Sequence, residues 1–436
     1  MSAPLSDLPV PSSILDTDLY KLSMQQAVLQ QFPTVHATYR FTNRNLSTLF
    51  TRQSSERFRT AVSHFTDLTL TEDELQWLRT TCPYFTEEYL SYLSTYRYKP
   101  EQVKIKYIPV TDDNLKGRIE ISISGPWVET ILWEVPLMAC LSETYFQLVD
   151  TDWTYDGQDG KFISPHVHHI PFSLMSLHPQ NLPTRKPDGF SREAAALASL
   201  GHVVDVLSKL KIPYSMPSFV LLGTCLLLPA VSQGRVHLAR LYNLPPIGTI
   251  AHEWFMGVAA LEGYENANSK ALKLWEDVFL GKGAPLIALT DTFATDTFLR
   301  DFATNPERVF TWDGLRQDSG DPFAFGPRVK AMYESLNIPY QDKLLVFSDA
   351  LNTEKCLAIK KQTDELGFNK VSFGIGTFLS NDFRSSSTGE KSKALNIVIK
   401  LSSVNDQPCI KLSDDLTKTT GPQETVEYVK RINHLK

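Results

Sequence analysis

Hydrophobic positions along the first 125 or so residues follow two periods. In "ILDTDLYKLSMQQAVLQQ" (14–31), Ile14, Leu15, Leu19, Leu22, Met24 and Val28 recur at helical spacing, and Asp16 or Asp18 stands where an N-cap belongs. This predicts an amphipathic helix. "HATYRFTNR" (36–44) alternates like a strand, and residues 53–98 read as helical and rich in tyrosine. "QVKIKYIP" and "GRIEISISGPW" alternate again and predict an antiparallel pair. The expected unit is a mixed α/β layer.

From about residue 243 the pattern changes to short continuous apolar runs, each closed by a polar or glycine-rich turn. "PPIGTI", "PLIALT", "RVFTWDGLR", "KLLVFS" and "NKVSFGIG" are such runs, with helical stretches between them. Unbroken apolar strands alternating with helices predict parallel sheet covered on both faces. Polar residues gathered at the strand ends predict a (β/α) barrel with its site there, ahead of a doubly wound open sheet. Past residue 390, "ALNIVIKLSSV" and "PCIKLSDD" predict a hairpin that packs back on the first layer.

Length and composition narrow the class. A chain of 436 residues exceeds what one core normally serves, so two domains are expected. With 42% hydrophobic and 21% charged residues it reads as a soluble globular protein. A formal net charge of −6 argues against a nucleic-acid partner. Cys82, Cys140, Cys225, Cys356 and Cys409 are scattered without a CxxC pair, which suggests reduced thiols in the cytoplasm or also the nucleus. The N-terminus lacks the pattern of a signal peptide, and the most apolar stretch (219–231) is too short to span a bilayer, so no membrane association is expected.

Candidate chemistry sits in the turns. In "LRQDSGDP" (315–322), Asp318 and Asp321 flank Ser319 and Gly320 just after Arg316. Such a loop can hold Mg²⁺ through a carboxylate while amides and arginine meet phosphate oxygens. It is equally the pattern of a solvated Asp-Gly turn. "SFGIGTF" sets Gly374, Gly376 and Thr377 after a strand, where backbone amides can meet an anion. Asp291 and Asp349 open further turns, and each alone reads as a helix cap. Together these turns point to a phosphorylated sugar with Mg²⁺. His252, at the end of "PPIGTI", is either a packed core histidine or a reactive group on the same face. "HVHH" (166–169) lacks neighbouring cysteine or carboxylate ligands and is a poor metal candidate.

The motifs "LDTDLYKLSM", "YRFTNR", "LSETYFQLVDTDWTY", "PPIGTIAHEWFMG", "LTDTFATDTF", "LRQDSGDP", "FSDALN", "FGIGTFLSNDF" and "LNIVIKL" give the chain a resemblance to the nicotinate phosphoribosyltransferases. The resemblance runs over about 14–156 and 236–420. It implies an α/β fold, with an N-terminal mixed α/β sandwich domain over 1–135, completed by 390–436, and an irregular, incomplete (β/α) barrel over 136–389. It also implies condensation of nicotinate with phosphoribosyl pyrophosphate to nicotinate mononucleotide and pyrophosphate, coupled to ATP as co-substrate. By this resemblance His252 is transiently phosphorylated, with Glu253 orienting its ring. Arg316 and Mg²⁺ near Asp318 and Asp321 would stabilise the leaving pyrophosphate. Gly374, Gly376 and Thr377 would take the 5′-phosphate, and Asp349 and Asn352 would contact ribose and phosphate. Tyr20 would lie against the pyridine ring across the interface of a homodimer. Thr224, Asp291 and Ser319 complete the implied substrate-binding set.

The chain departs from the family between residues 157 and 235. The family carries an "FSEFGTRRRRS"-like segment there that holds nicotinate and its carboxylate; here "GFSREAAALAS" keeps a trace. An arginine run translated one base late would give such alanines, so a shifted reading frame is one source of this segment. The departure implies weakened nicotinate binding or a silent relative. Cys225 after the "GT" turn, where nicotinamide phosphoribosyltransferases tend to carry aspartate, leans toward the acid substrate.

Overall fold

The computed structural model describes residues 8–153, 235–241, 245–374, 384–391 and 393–435. Segment 157–234, whose stretch "REAAALASLGHVVDVLSKL" (192–210) has the sequence pattern of an amphipathic helix, and the histidine run 166–169 within it lie outside them. The strands are β1 (His36–Asn43), β2 (Phe50–Thr51), β3 (Val103–Pro109), β4 (Lys116–Pro126), β5 (Ile287–Leu289), β6 (Gly314–Gln317), β7 (Leu344–Phe347), β8 (Lys370–Phe373), β9 (Ile397–Val404) and β10 (Gln407–Pro408). They form two sheets. One is antiparallel in the order β10-β9-β1-β4-β2, with β3 also on β4; the other is parallel, β5-β6-β7-β8.

The expected β3/β4 pair forms, with Val103 opposite Ile123. The expected C-terminal hairpin is shorter than its alternation suggests. β9 turns through Asn405 and Asp406, both left-handed (φ 43° and 62°), into the two-residue β10. Lys411 then bridges Thr420 instead of continuing the hairpin. β9 lies beside β1, Asn43 opposite Ile397, so the late chain extends the early sheet.

Residues 53–98 resolve into helices Arg52–Ser63, Glu72–Thr81 and Glu87–Thr95. The breaks follow from Thr51, Thr71 and Thr86, whose hydroxyls each accept the backbone N–H three residues on and start a new helix. The first helix is Leu19–Gln31, and it is not amphipathic. Lys21, Gln25 and Gln26 are as buried as Leu22 and Met24. Gln25 donates to the Val128 carbonyl and Gln26 to that of Tyr84, so polar groups are satisfied inside the core. Asp18 is its N-cap by position but bonds no helix amide through its side chain.

Two of the expected apolar strands change. "PPIGTI" forms no strand: Pro245 and Pro246 lack N–H donors, and the segment docks on the first helix instead. Gly248 makes that approach possible, since a Cβ there would lie 2.8 Å from the Tyr20 nitrogen. "RVFTWDGLR" is a strand in its last part alone; Arg308 lies in helix Pro306–Thr311 and pairs with Glu276. The core runs through both halves. Trp127 stacks on Trp254, which meets Trp275 edge-on, and Gly257 leaves the room Trp127 needs. This packing seats helix His252–Glu262 against the antiparallel sheet, with β9 alongside it.

Candidate active site

The parallel strands end on one edge, and the polar turns of the sequence gather there. Asp291 follows β5, Arg316 is the third residue of β6, Asp318 follows it, Ser348 and Asp349 follow β7, and Gly374 follows β8. A cavity of ≈ 290 Å³ opens between this edge and β9. Tyr20, His252, Arg316, Asp318 and Asp349 all line it.

His252 is the first residue of its helix, and no side chain caps that N-terminus, so the first amides face the cavity end. Its Nδ1 lies 2.9 Å from Thr292 Oγ1, and its Nε2 lies 3.2 Å from Asp318 Oδ2. Lys411 Nζ donates to the same Nε2 at 2.8 Å. Burial and then the Lys411 charge push the imidazole below its usual pKa, against the opposing pull of Asp291 and Asp318. It is therefore largely unprotonated at neutral pH, with an electron pair to offer. Asp318 goes the other way. Burial works against its charge, but Arg316, His252 and Lys411 together hold its carboxyl well below the usual range. Arg316 donates to Asp318 Oδ1, Ser348 Oγ and Thr249 Oγ1, each at 2.9 Å, which fixes the guanidinium in one orientation.

Several expected ligands have other work. Asp321 caps helix Pro322–Ser335 by accepting the Phe323 N–H at 2.9 Å, and it faces a second cavity. A magnesium ion held jointly by Asp318 and Asp321 does not fit this arrangement, because one carboxylate is taken up by Arg316 and Ser348 and the other caps a helix and faces a second cavity. Among the described residues no cluster of three or more His, Cys, Asp or Glu is placed to hold a metal. Asn352 is the cap of helix Thr353–Leu366 and accepts the Lys355 N–H. Asp291 and Asp349 are not caps. Asp291 is fully buried beneath the cavity, where it accepts from Ser319 Oγ and lies 3.5 Å from Lys411. Ser319, equally buried, is a strut that also meets Ser413 and the Asp414 amide. The Gly374 N–H is spent on the Phe347 carbonyl at 2.7 Å, extending the β7/β8 ladder. The Glu253 carboxylate does not hold the His252 ring directly: it accepts from Lys21, Tyr39 and Trp127, whereas the ring nitrogens lie against Thr292, Asp318 and Lys411. Tyr20 reaches the cavity from its own chain. Thr224, Gly376 and Thr377 lie outside the described residues.

The opposite wall carries residues that sequence reasoning missed. Arg44, Lys400, Lys411 and Lys418 line it, and Lys418 donates to Asp349 Oδ1 at 2.6 Å. Lys400 is pushed down to about 8, by burial first and then by Lys411 and Arg44. A lysine depressed by neighbouring cations marks a place short of counter-charge, a ready seat for a polyanion. Glu134 also lines the cavity, its carboxyl raised mainly by burial.

The class that this fold and cleft define is a two-part α/β protein with a cleft at the carboxyl ends of its parallel strands that gathers arginine and lysine side chains. Similarity to known proteins narrows the class to one family. The profile of the nicotinate phosphoribosyltransferase (NAPRTase) family matches residues 221–434, and that of its N-terminal domain residues 15–142. The chain is 37% identical to the nicotinate phosphoribosyltransferase of Methanosarcina mazei, over 96% of this chain and 97% of that one. It is also 37% identical to that of Saccharomyces cerevisiae, over 97% and 95%. A crystal structure from Saccharomyces cerevisiae superimposes with a TM-score of 0.84 at 34% identity, covering all of both chains. The chain belongs to the nicotinate phosphoribosyltransferase family. Among the described residues no helix is long and apolar enough to cross a membrane.

Proposed function

We propose that this chain condenses nicotinate with phosphoribosyl pyrophosphate to nicotinate mononucleotide and pyrophosphate, with ATP hydrolysis coupled through a phosphohistidine at His252, as a step of NAD salvage. The observation that carries the reading is the His252 imidazole, kept neutral in a cavity that also holds Arg316 and a cationic wall.

Pyrophosphate, free or as part of phosphoribosyl pyrophosphate, lies against Arg44, Lys400, Lys411 and Lys418. Its departure leaves positive charge on the ribose and adds negative charge to the leaving oxygens, which Arg316 meets. Asp349 takes ribose hydroxyls, and Tyr20 covers the pyridine ring of nicotinate. Before or after this step the Nε2 electron pair attacks the γ-phosphorus of ATP. The bond between that phosphorus and the bridging oxygen breaks, and ADP leaves with the electrons of that bond. Neutral imidazole is a competent nucleophile for this. Water later attacks the phosphohistidine, cleaving its P–N bond to release phosphate and return the neutral imidazole. Nothing here is routed through magnesium held by Asp318 and Asp321, since their side chains diverge.

Product formation from nicotinate and phosphoribosyl pyrophosphate, with and without ATP, tests the reading. ATP-stimulated nicotinate mononucleotide is expected. His252→Ala should keep some transfer but lose the ATP stimulation; equal stimulation in that variant would remove the phosphohistidine from the mechanism.

A further inference from the structure

Two residues of the cavity wall each have a chain neighbour in the same buried ion pair. Lys21 follows Tyr20, Glu253 follows His252, and Lys21 Nζ donates to Glu253 Oε2 at 2.5 Å. Lys21 is fully buried and Glu253 is 9% exposed. The pair is held from all sides. Glu253 Oε1 accepts from Tyr39 Oη at 2.5 Å and from Trp127 Nε1 at 3.0 Å. Lys21 also meets Glu134 at 2.6 Å. One ammonium and one carboxylate thus join β1, helix Trp127–Thr130, helix Glu134–Leu148 and the two helices that begin at Leu19 and His252.

Lys21 stays charged here. Burial alone would strip its proton, but Glu134 and Glu253 hold its pKa above the ordinary value. Such a pair is a poor source of stability, because apolar side chains of similar volume often serve a core as well or better. The surrounding core is rich in them, Trp254, Phe255 and Trp127 among others. What the pair supplies is geometry. Adjacent Cα atoms are ~3.8 Å apart, so whatever fixes Lys21 against Glu253 also fixes Tyr20 against His252.

We propose that Lys21 and Glu253 are positioning residues that set the spacing between the tyrosine covering the nicotinate ring and the histidine that accepts phosphate. The inference rests on the functional reading above and adds a specific coupling to it: loss of the pair should disturb nicotinate binding and ATP coupling together, although the carboxylate of Glu253 is spent on Lys21, Tyr39 and Trp127 and Lys21 is fully buried.

The test is steady-state kinetics of Glu253→Gln and Lys21→Arg, with thermal unfolding as the control for folding. The amide oxygen that Glu253→Gln leaves in place can still accept from Tyr39 and Trp127, but Lys21 keeps Glu134 as its remaining carboxylate partner. We expect KM for nicotinate to rise about tenfold and the ATP stimulation to fall by a similar factor in the Glu253→Gln variant. Lys21→Arg keeps both charges and should show both changes, each about threefold. In a Tyr20→Ala background, Glu253→Gln should raise KM for nicotinate less than about twofold further, because residues acting through one another are not additive. A folded variant of either kind with wild-type KM and wild-type ATP stimulation overturns the proposal, as does a full additional effect in the Tyr20→Ala background. Wild-type protein that makes no nicotinate mononucleotide sinks the functional reading and this inference together. Wild-type turnover with indifferent variants sinks the inference alone.

Discussion

The two walls of the cavity are built on different principles. On the parallel-strand edge, His252, Arg316 and Asp318 are locked by mutual bonds, with Thr292, Thr249 and Ser348 as further anchors. On the antiparallel side, Arg44, Lys400, Lys411 and Lys418 gather positive charge that disfavours the charge of Lys400, while Lys411 and Lys418 reach across to His252 and Asp349. A preorganised wall acts on charge that develops during a reaction, because it needs no rearrangement at that moment. A crowded cationic wall acts on charge already present in the substrate. The contrast assigns rate to one wall and affinity to the other.

The largest expected effect therefore belongs to Arg316. Arg316→Gln removes the guanidinium that three partners fix at the strand edge, and leaves Asp318 facing His252 and Lys411. We expect kcat to fall on the order of 10²–10³-fold with KM for phosphoribosyl pyrophosphate changed far less. Steady-state kinetics on the folded variant decides it; a rise in KM at preserved kcat would reverse the roles given to the two walls.

The same contrast explains what could be read from the sequence. The strand-edge residues stand in turns that close apolar runs, and such turns announce themselves: "LRQDSGDP" and "FSDALN" each interrupt a hydrophobic stretch with carboxylates. The fold class followed from the same punctuation. Lys400 and Lys411 give no such signal. They occupy polar positions of "LNIVIKLSSV" and "PCIKLSDD", and alternation assigns those positions to solvent. The physical reason for the miss is that β9 brings Lys400 to the cavity rather than to open solvent, and that Lys411, beyond the strand, is buried against His252 and Asp291. Lys21 was hidden similarly, as one polar position in a helix whose every face is buried. Period reports that two faces differ, and only the tertiary contacts say what each face meets. Asp291 and Ser319 teach the converse. Their turn placed them at the site, yet both support it from below, since the strand end carries polar residues for structure as well as for contact.

A smaller effect of the opposite kind is expected at Lys418. It is part-exposed and pairs with Asp349 at 2.6 Å. Lys418→Met removes one cation from the affinity wall and should raise KM for phosphoribosyl pyrophosphate about tenfold, with kcat lowered less than about threefold. Initial rates over a range of phosphoribosyl pyrophosphate concentrations measure both. A fall in kcat as deep as that of Arg316→Gln would mean that the cationic wall, too, acts on the transition state.

The gentlest test uses pH. Free Lys400 titrates at about 8 because burial, Lys411 and Arg44 disfavour its charge. A bound polyanion favours the charged form, so binding takes up a proton, and affinity for pyrophosphate should weaken as pH rises through 8. One linked proton allows a slope of at most about tenfold per pH unit. Stability has the opposite sign. Between about 8 and the ordinary lysine value of 10.5 the unfolded chain holds a proton that the folded chain has lost, so this group alone makes the free protein more stable as pH rises. Pyrophosphate titrates in the same range, and the comparison is therefore between wild type and Lys400→Met. Calorimetric binding of pyrophosphate from pH 7 to 9.5 should show a steeper loss for the wild type, and unfolding of the free proteins should show the stability of the wild type gaining on that of Lys400→Met as pH rises above 8. Parallel binding curves for the two proteins would mean that Lys400 is not among the cations meeting the anion, and would leave Arg44, Lys411 and Lys418 to form that wall.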